Sequence, residues 1–126
     1  MHKTSTEHLF NIYPRLFPEK NRSIHDSLIP FGMECGNGWF WLLNNLCESI
    51  QSYIDNNGLD QIEFIQVKEK FGTLRIYESG CDDITYGMII MAENMSKHIC
   101  ETCGSTENVT SEGSWVRTLC NKCRDK

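Results

Sequence analysis

Seven cysteines occur in the 126-residue chain, and four of them carry metal-site spacing. Cys100-x2-Cys103 and Cys120-x2-Cys123 are separated by sixteen residues, an interval of the zinc-ribbon kind. Each pair, set on a tight turn, presents two thiolates to one side. Two such turns complete a tetrahedron around zinc, with Zn–S bonds of about 2.3 Å. Gly104 directly follows the first pair, as a turn requires, and Trp115, Val116 and Leu119 predict a short strand feeding the second. Four thiolates leave no coordination position for water, so the expected group is one structural Zn2+, stapling a tail too small and polar to fold alone. A redox dithiol is the competing use of these thiols, but a single C-x2-C suits it better than two. His98 reads as an exposed or capping histidine rather than a substitute ligand. Cys35, Cys47 and Cys81 read as structural. Cys35 and Cys81 lie on glycine-rich loops and are expected to be the more reactive, although no histidine is placed to activate either.

The second candidate chemistry lies in KEKFGTLRIY, Lys68 to Tyr77. With Phe71-Gly72 at the tip of a hairpin, a two- or a four-residue loop gives the same register: Glu69 opposite Leu74, Lys68 opposite Arg75, Val67 opposite Ile76 and Gln66 opposite Tyr77. Paired residues share a face. Ile65, Val67, Leu74 and Ile76 then form an apolar face for helices to cover. Gln66, Lys68, Lys70, Thr73, Arg75 and Tyr77 form the other. Lys68 opposite Arg75 juxtaposes like charges, which solvent relieves or an anion neutralises. The guanidinium fork, two ammonium groups and two hydroxyls suit a phosphate or carboxylate. Trp39 or Trp41, beside the Gly36–Gly38 loop, is a candidate for stacking on a base.

The elements that must position these groups follow from periodicity. Leu9, Phe10, Tyr13, Leu16 and Phe17 predict a helix over Thr6 to Phe17, with Pro14 able to shorten it. Glu19 to Asn37 reads as a long connection. Trp39, Leu42, Leu43, Leu46, Ile50, Tyr53 and Ile54 form the stripe of a helix over Trp39 to Asn56, capped by Asn37 or Gly38 and ended by Asn57-Gly58. Gln61 to Lys70 and Thr73 to Glu78 predict strands. Asp82 or Asp83 caps a helix over Ile84 to Lys97 whose expected buried stripe is Ile84, Met88, Met91, Met95 and Ile99, with Ala92 beside it.

Composition narrows the classes. Hydrophobic residues make up 40% and charged residues 23%, with a formal net charge of -5. That balance argues against strong non-specific nucleic-acid binding but permits a local cationic site. Between Cys100 and Lys126 the four basic and four acidic residues cancel, so the ribbon has no basic stripe. No run approaches a membrane-spanning length, and MHKTSTEHLF lacks the apolar centre of a secretion signal, so a cytosolic location is expected.

Four stretches occur together in order: YPRLF, FGMECGNGWFWLLNNLCESIQ, IQVKEKFGTLRIY followed by SGCDD, and CETCG to GSWVRTLCNKC. Together they resemble a family of small, zinc-ribbon-containing hypothetical proteins of tailed bacteriophages, prophages and bacteria. VKEKFGTLR and CGNGW are the most specific pieces, and the resemblance covers nearly the whole chain. Similar sequences can carry histidine at the last ligand, which fits a zinc role for Cys123. The resemblance implies a phage-like origin and an accessory role in the host cytosol. It implies no reaction and carries over no functional residues.

The expected fold is α+β. A small antiparallel sheet around the hairpin of residues 61–78 is packed by two or three helices, with residues 1–99 as one domain and 100–126 as a zinc ribbon packed on it. The expected function is non-enzymatic binding of an anionic ligand, nucleotide-like or nucleic acid, through Lys68, Lys70, Thr73, Arg75, Tyr77 and Trp39, with host-defence evasion as one biological version. Alternatives are an adaptor or inhibitor of a host protein, and a metal-dependent nuclease built on Asp60, Gln66-x-Lys68 and Glu69, with Asp82-Asp83 able to hold a metal but more simply read as a helix cap. A homo-oligomer is compatible with each.

Overall fold

A computed structural model describes residues 1–18 and 32–126. The elements in order are α1 (Lys3–Ile12), β1 (Met33–Glu34), a single 3-10 turn (Asn37–Trp39), α2 (Phe40–Asn57), β2 (Glu63–Lys70), β3 (Thr73–Ser79), α3 (Asp83–Ser96), β4 (Val109–Glu112), β5 (Arg117–Cys120) and α4 (Asn121–Arg124). The fold is α+β: a three-stranded sheet in the order β1-β2-β3, helices around it, and a two-stranded β4-β5 ribbon carrying the cysteines. The larger sheet is mixed rather than purely antiparallel, because β1 pairs parallel to β2. Of the connection expected over Glu19 to Asn37, residues 19–31 lie outside the described part, and Met33–Glu34 is a strand.

Helix α1 starts and stops earlier than the apolar spacing suggests. Pro14 restricts Tyr13 and cannot donate a helical hydrogen bond, so the helix closes where Tyr13 N–H meets the Leu9 carbonyl at 2.9 Å. Leu16 and Phe17, outside the helix, are still fully buried. Phe17 meets Phe64 edge-on with ring centroids 5.3 Å apart, anchoring the N-terminal segment to the sheet. Helix α2 matches its predicted stripe: Leu42, Leu43, Leu46, Ile50 and Ile54 are buried, and Gly58 ends the helix in the left-handed conformation at φ 60°.

The β2–β3 register is the expected one from Gln66↔Tyr77 to Lys70↔Thr73, with a two-residue tip. A bulge between Phe64 and Gln66 alters the start of the strand. The extra residue places Phe64, not Ile65, in the core: Phe64 is fully buried and Ile65 half-buried.

Helix α3 is rotated relative to expectation. Its buried residues are Thr85, Ile89, Ala92 and Ser96, whereas Ile84, Met91 and Met95 are exposed. Asp82 and Thr85 form a reciprocal cap, and α3 then runs along the outer edge of β3. There Ser96 Oγ accepts the Leu74 N–H and a Glu93 carboxylate oxygen accepts that of Ile76, each at 2.9 Å. Small and polar residues face the sheet because α3 must satisfy the edge donors of β3 at close range, which methionines cannot do.

Candidate metal centre and cationic surface

The ribbon strands pair antiparallel, with Val109 opposite Cys120. Strand β5 starts at Arg117, so Trp115 and Val116 belong to the preceding loop rather than to the expected strand, and Trp115 is 81% exposed. The first cysteine pair sits on a turn closed by Gly104 N–H to the Cys100 carbonyl at 2.9 Å, with Gly104 at φ 83°. Cys120 ends β5 and Cys123 lies in α4.

The four Sγ atoms lie within 4.8 Å of one another, and the Cys103–Cys120 pair is 3.7 Å apart. A tetrahedral ion with metal–sulfur bonds of ~2.3 Å requires sulfur–sulfur edges of ~3.8 Å, whereas a disulfide needs about 2.05 Å. The donor set therefore fits one metal ion. Burial acts to raise the Cys100 thiol, but backbone N–H groups of Cys103, Cys120 and Thr102 outweigh it and bring the pKa down to about 6. Burial, followed by the neighbouring sulfurs, pushes Cys123 up to about 12. Metal binding at such a set is coupled to loss of thiol protons. Among the described residues this is the one cluster of three or more His, Cys, Asp or Glu with metal-binding geometry.

The turn is held by the CGNGW segment. Gly38 N–H donates to the Glu101 carbonyl at 2.7 Å and Gly36 N–H to the Glu101 carboxylate at 2.8 Å. A side-chain carbon at Gly38 would overlap the carbonyl oxygens of Cys100 and Glu101, so glycine is needed for this close approach. Trp39 is fully buried, and its indole N–H donates to the Ile99 carbonyl at 2.9 Å. Trp39 therefore supports the metal turn from within and is not available to stack on a ligand, which corrects its place among the candidate contacts. Trp41, its neighbour, is 71% exposed.

For the other cysteines, the expected reactivity of Cys35 and Cys81 is corrected. Burial pushes the thiols of Cys35 and Cys81 each up to about 12, and burial also raises Cys47. Neither loop cysteine has the depressed pKa of a reactive thiol. Two of the acidic residues of the nuclease alternative, Asp82 and Glu69, are engaged locally. Asp82 accepts from Thr85 and Tyr53, and Glu69 accepts the Gly72 N–H at 2.7 Å.

On the outer face of the hairpin, Lys68 and Arg75 are cross-strand partners, as the register predicts. Lys70, Arg75 and Tyr77 are exposed and Lys68 is half-buried. Thr73 is buried, with its hydroxyl donating to the Lys70 carbonyl at 2.9 Å, so it closes the turn rather than facing a ligand. Glu34 lies beside Lys68 in register and accepts from Gln66 at 3.2 Å. Among the described residues, no carboxylate comes within 4.0 Å of the nitrogens of Lys68, Lys70 or Arg75.

The hairpin tip also supplies residues that sequence reasoning missed. Phe71 and Gly72 are both left-handed, at φ 54° and 80°, which makes a type I′ turn with phenylalanine where asparagine is preferred. An aromatic residue in this conformation stores about 1–3 kcal/mol, and Phe71 is nonetheless 73% exposed. The turn is held from the ribbon: Thr118 Oγ1 donates to the Gly72 carbonyl at 2.5 Å. Lys68, Glu69, Lys70 and Phe71 of the hairpin and Ser114, Trp115 and Val116 of the ribbon loop line a groove of about 260 Å³. The available signal was an aromatic residue at each of two turn positions far from any core stripe. No helix among the described residues is long and apolar enough to cross a membrane.

Comparison with protein families, with curated proteins and with solved structures finds no match.

Proposed function

We propose that the protein is a non-enzymatic accessory protein of the bacteriophage type, stapled by one structural Zn2+, that binds an anionic ligand of nucleotide or nucleic-acid chemistry in the host cytosol. One observation carries this reading: Lys68 and Arg75 face each other across the ladder, with Lys70 nearby, and among the described residues no carboxylate lies within 4.0 Å of their nitrogens. Like charges held opposite one another oppose pairing of the strands, and a bound anion turns that repulsion into a binding contribution. Zinc is supported by four sulfur donors gathered within 4.8 Å of one another, a soft and closed set that suits Zn2+. Interference with a host defence nucleotide would give such a site a purpose. Elemental analysis should find one zinc per chain. Calorimetry of the zinc-loaded protein against cyclic and linear nucleotides should give heat that disappears in the Lys68→Gln/Arg75→Gln double variant. Absence of heat from every nucleotide and oligonucleotide would sink the reading.

A second reading, an adaptor for a host protein, draws on a different surface. Leu42 and Leu46 of α2 face Met88, Met91 and Met95 of α3 across an open apolar groove of about 210 Å³. Methionine-lined grooves adapt to apolar side chains. A stoichiometric protein partner lost on Met91→Lys but retained in the Lys68/Arg75 variant would favour this reading.

A further inference from the structure

We propose that the groove between the hairpin tip and the ribbon loop is a clamp for single-stranded nucleic acid, in which Phe71 and Trp115 sandwich an unpaired base while Lys68 and Lys70 take the adjoining phosphates. The inference rests on the anion-binding reading above and names its ligand class and a different pair of aromatic contacts.

Four observations converge. First, Phe71 and Trp115 line one groove yet belong to separate elements, a β-turn and a ribbon loop. Both are more than 70% exposed, at 73% and 81%. Exposed aromatic residues occur singly on many surfaces; two across a groove that also holds two lysines make a stacking site with electrostatic support. Second, Phe71 is held in a left-handed conformation that phenylalanine disfavours. The turn is fastened by Glu69 to the Gly72 N–H and by Thr118 to the Gly72 carbonyl. An asparagine would satisfy the same turn with less strain, and the Phe71 ring instead carries the Lys70 ammonium over its face, 5.8 Å from the ring centroid. Third, about 260 Å³ lies just below the range of sites for drug-sized molecules, which suits one base better than a whole cofactor. Fourth, the charge is local. Lys68 and Lys70 exceed Glu69 by one, while the whole chain carries -5. Duplex DNA, whose bases are stacked inside and whose affinity rises with cationic area, gains little from such a site. A flexible single strand can insert a base and set a phosphate on either side.

The test titrates the zinc-loaded protein with an oligothymidylate of about ten nucleotides, following tryptophan fluorescence at several salt concentrations. Binding is expected with quenching and with a log–log salt slope of about -1.4, for two phosphates. Phe71→Asn, which keeps the turn, and Trp115→Ala, which alters an exposed ring, should each weaken binding by ~10-fold or more while circular dichroism stays unchanged. Lys68→Gln/Lys70→Gln should flatten the salt slope. Oligonucleotide binding that is indifferent to both rings overturns the clamp. So does binding of mononucleotides or pyrophosphate without oligonucleotide, although that result leaves the anion-binding reading standing. A polyglutamate peptide that binds with the same ring dependence, where oligothymidylate does not, reassigns the groove to an acidic protein. No binding of any of these anions overturns both readings.

Discussion

At Gly38 the ribbon meets the core backbone to backbone; at Gly72 it meets the hairpin through a side chain. Gly38 lies against the carbonyls of Cys100 and Glu101, which are part of the metal turn and cannot move without disturbing the sulfur donors. Gly72 lies against Thr118 Oγ1 and Val116, where an added carbon would come within 2.9 Å and 3.1 Å of side-chain atoms. The first junction therefore tolerates no adjustment, while the second has some give. The rigid contact positions the metal turn, and the adjustable one positions the proposed working groove. A metal ion on the four sulfurs would act on the proposed groove at one remove, by holding the strand that holds the tip.

The comparison can be broken most directly at its rigid side. Gly38→Ala should cost about 4 kcal/mol, from overpacking plus a lost backbone hydrogen bond, and should speed zinc release to a chelator. Urea melts will show this, and a variant no weaker than Gly72→Ala would reverse the ranking. Gly72→Ala should cost about 2 kcal/mol, chiefly from alanine forced into the left-handed region, with zinc retention nearly unchanged. Thr118→Val preserves shape but strands the Gly72 carbonyl. A loss of about 1–2 kcal/mol is expected in thermal unfolding. The smallest effect concerns pH. Burial raises the Glu101 carboxyl above its ordinary value of 4.5, with the Gly36 N–H opposing in part. A raised carboxyl contributes most below the ordinary value and loses that contribution as pH rises through the native one. Glu101→Gln keeps an acceptor for Gly36 and removes the charge. It should therefore be slightly more stable than the parent at neutral pH, with the difference vanishing toward pH 4; an advantage that grows in acid would contradict the assigned sign.

Much of this arrangement could be read from local pattern. Two C-x2-C pairs announce a metal turn because the chemistry needs short spacing. The Lys68–Arg75 pairing follows from the position of Gly72, since a tip determines every pair behind it. The bulge at Phe64 was not legible, because one extra residue in a strand leaves no mark on composition. The inward face of α3 was misread for a physical reason. Hydropathy ranks methionine above Thr85, Ala92 and Ser96, whereas the edge of β3 demands donors' partners and close approach. Trp39 and Trp41 look equivalent in the WFW run. The fold separates them by docking Gly38 onto Glu101, which turns the Trp39 indole toward Ile99. The groove joins Phe71 to Trp115, and no local window contains both.

The cradle around Gly38 also bears on the order in which the chain can mature. The acceptors of Gly36 and of the Trp39 indole lie 65 and 60 positions further along. On the ribosome these donors emerge long before their partners, and such distant closure is slow. Helix α2 can form early, but its entrance stays unfinished until the cysteine turn arrives. A metal ion held at that turn would therefore close the entrance of α2 only after both cysteine pairs have been made.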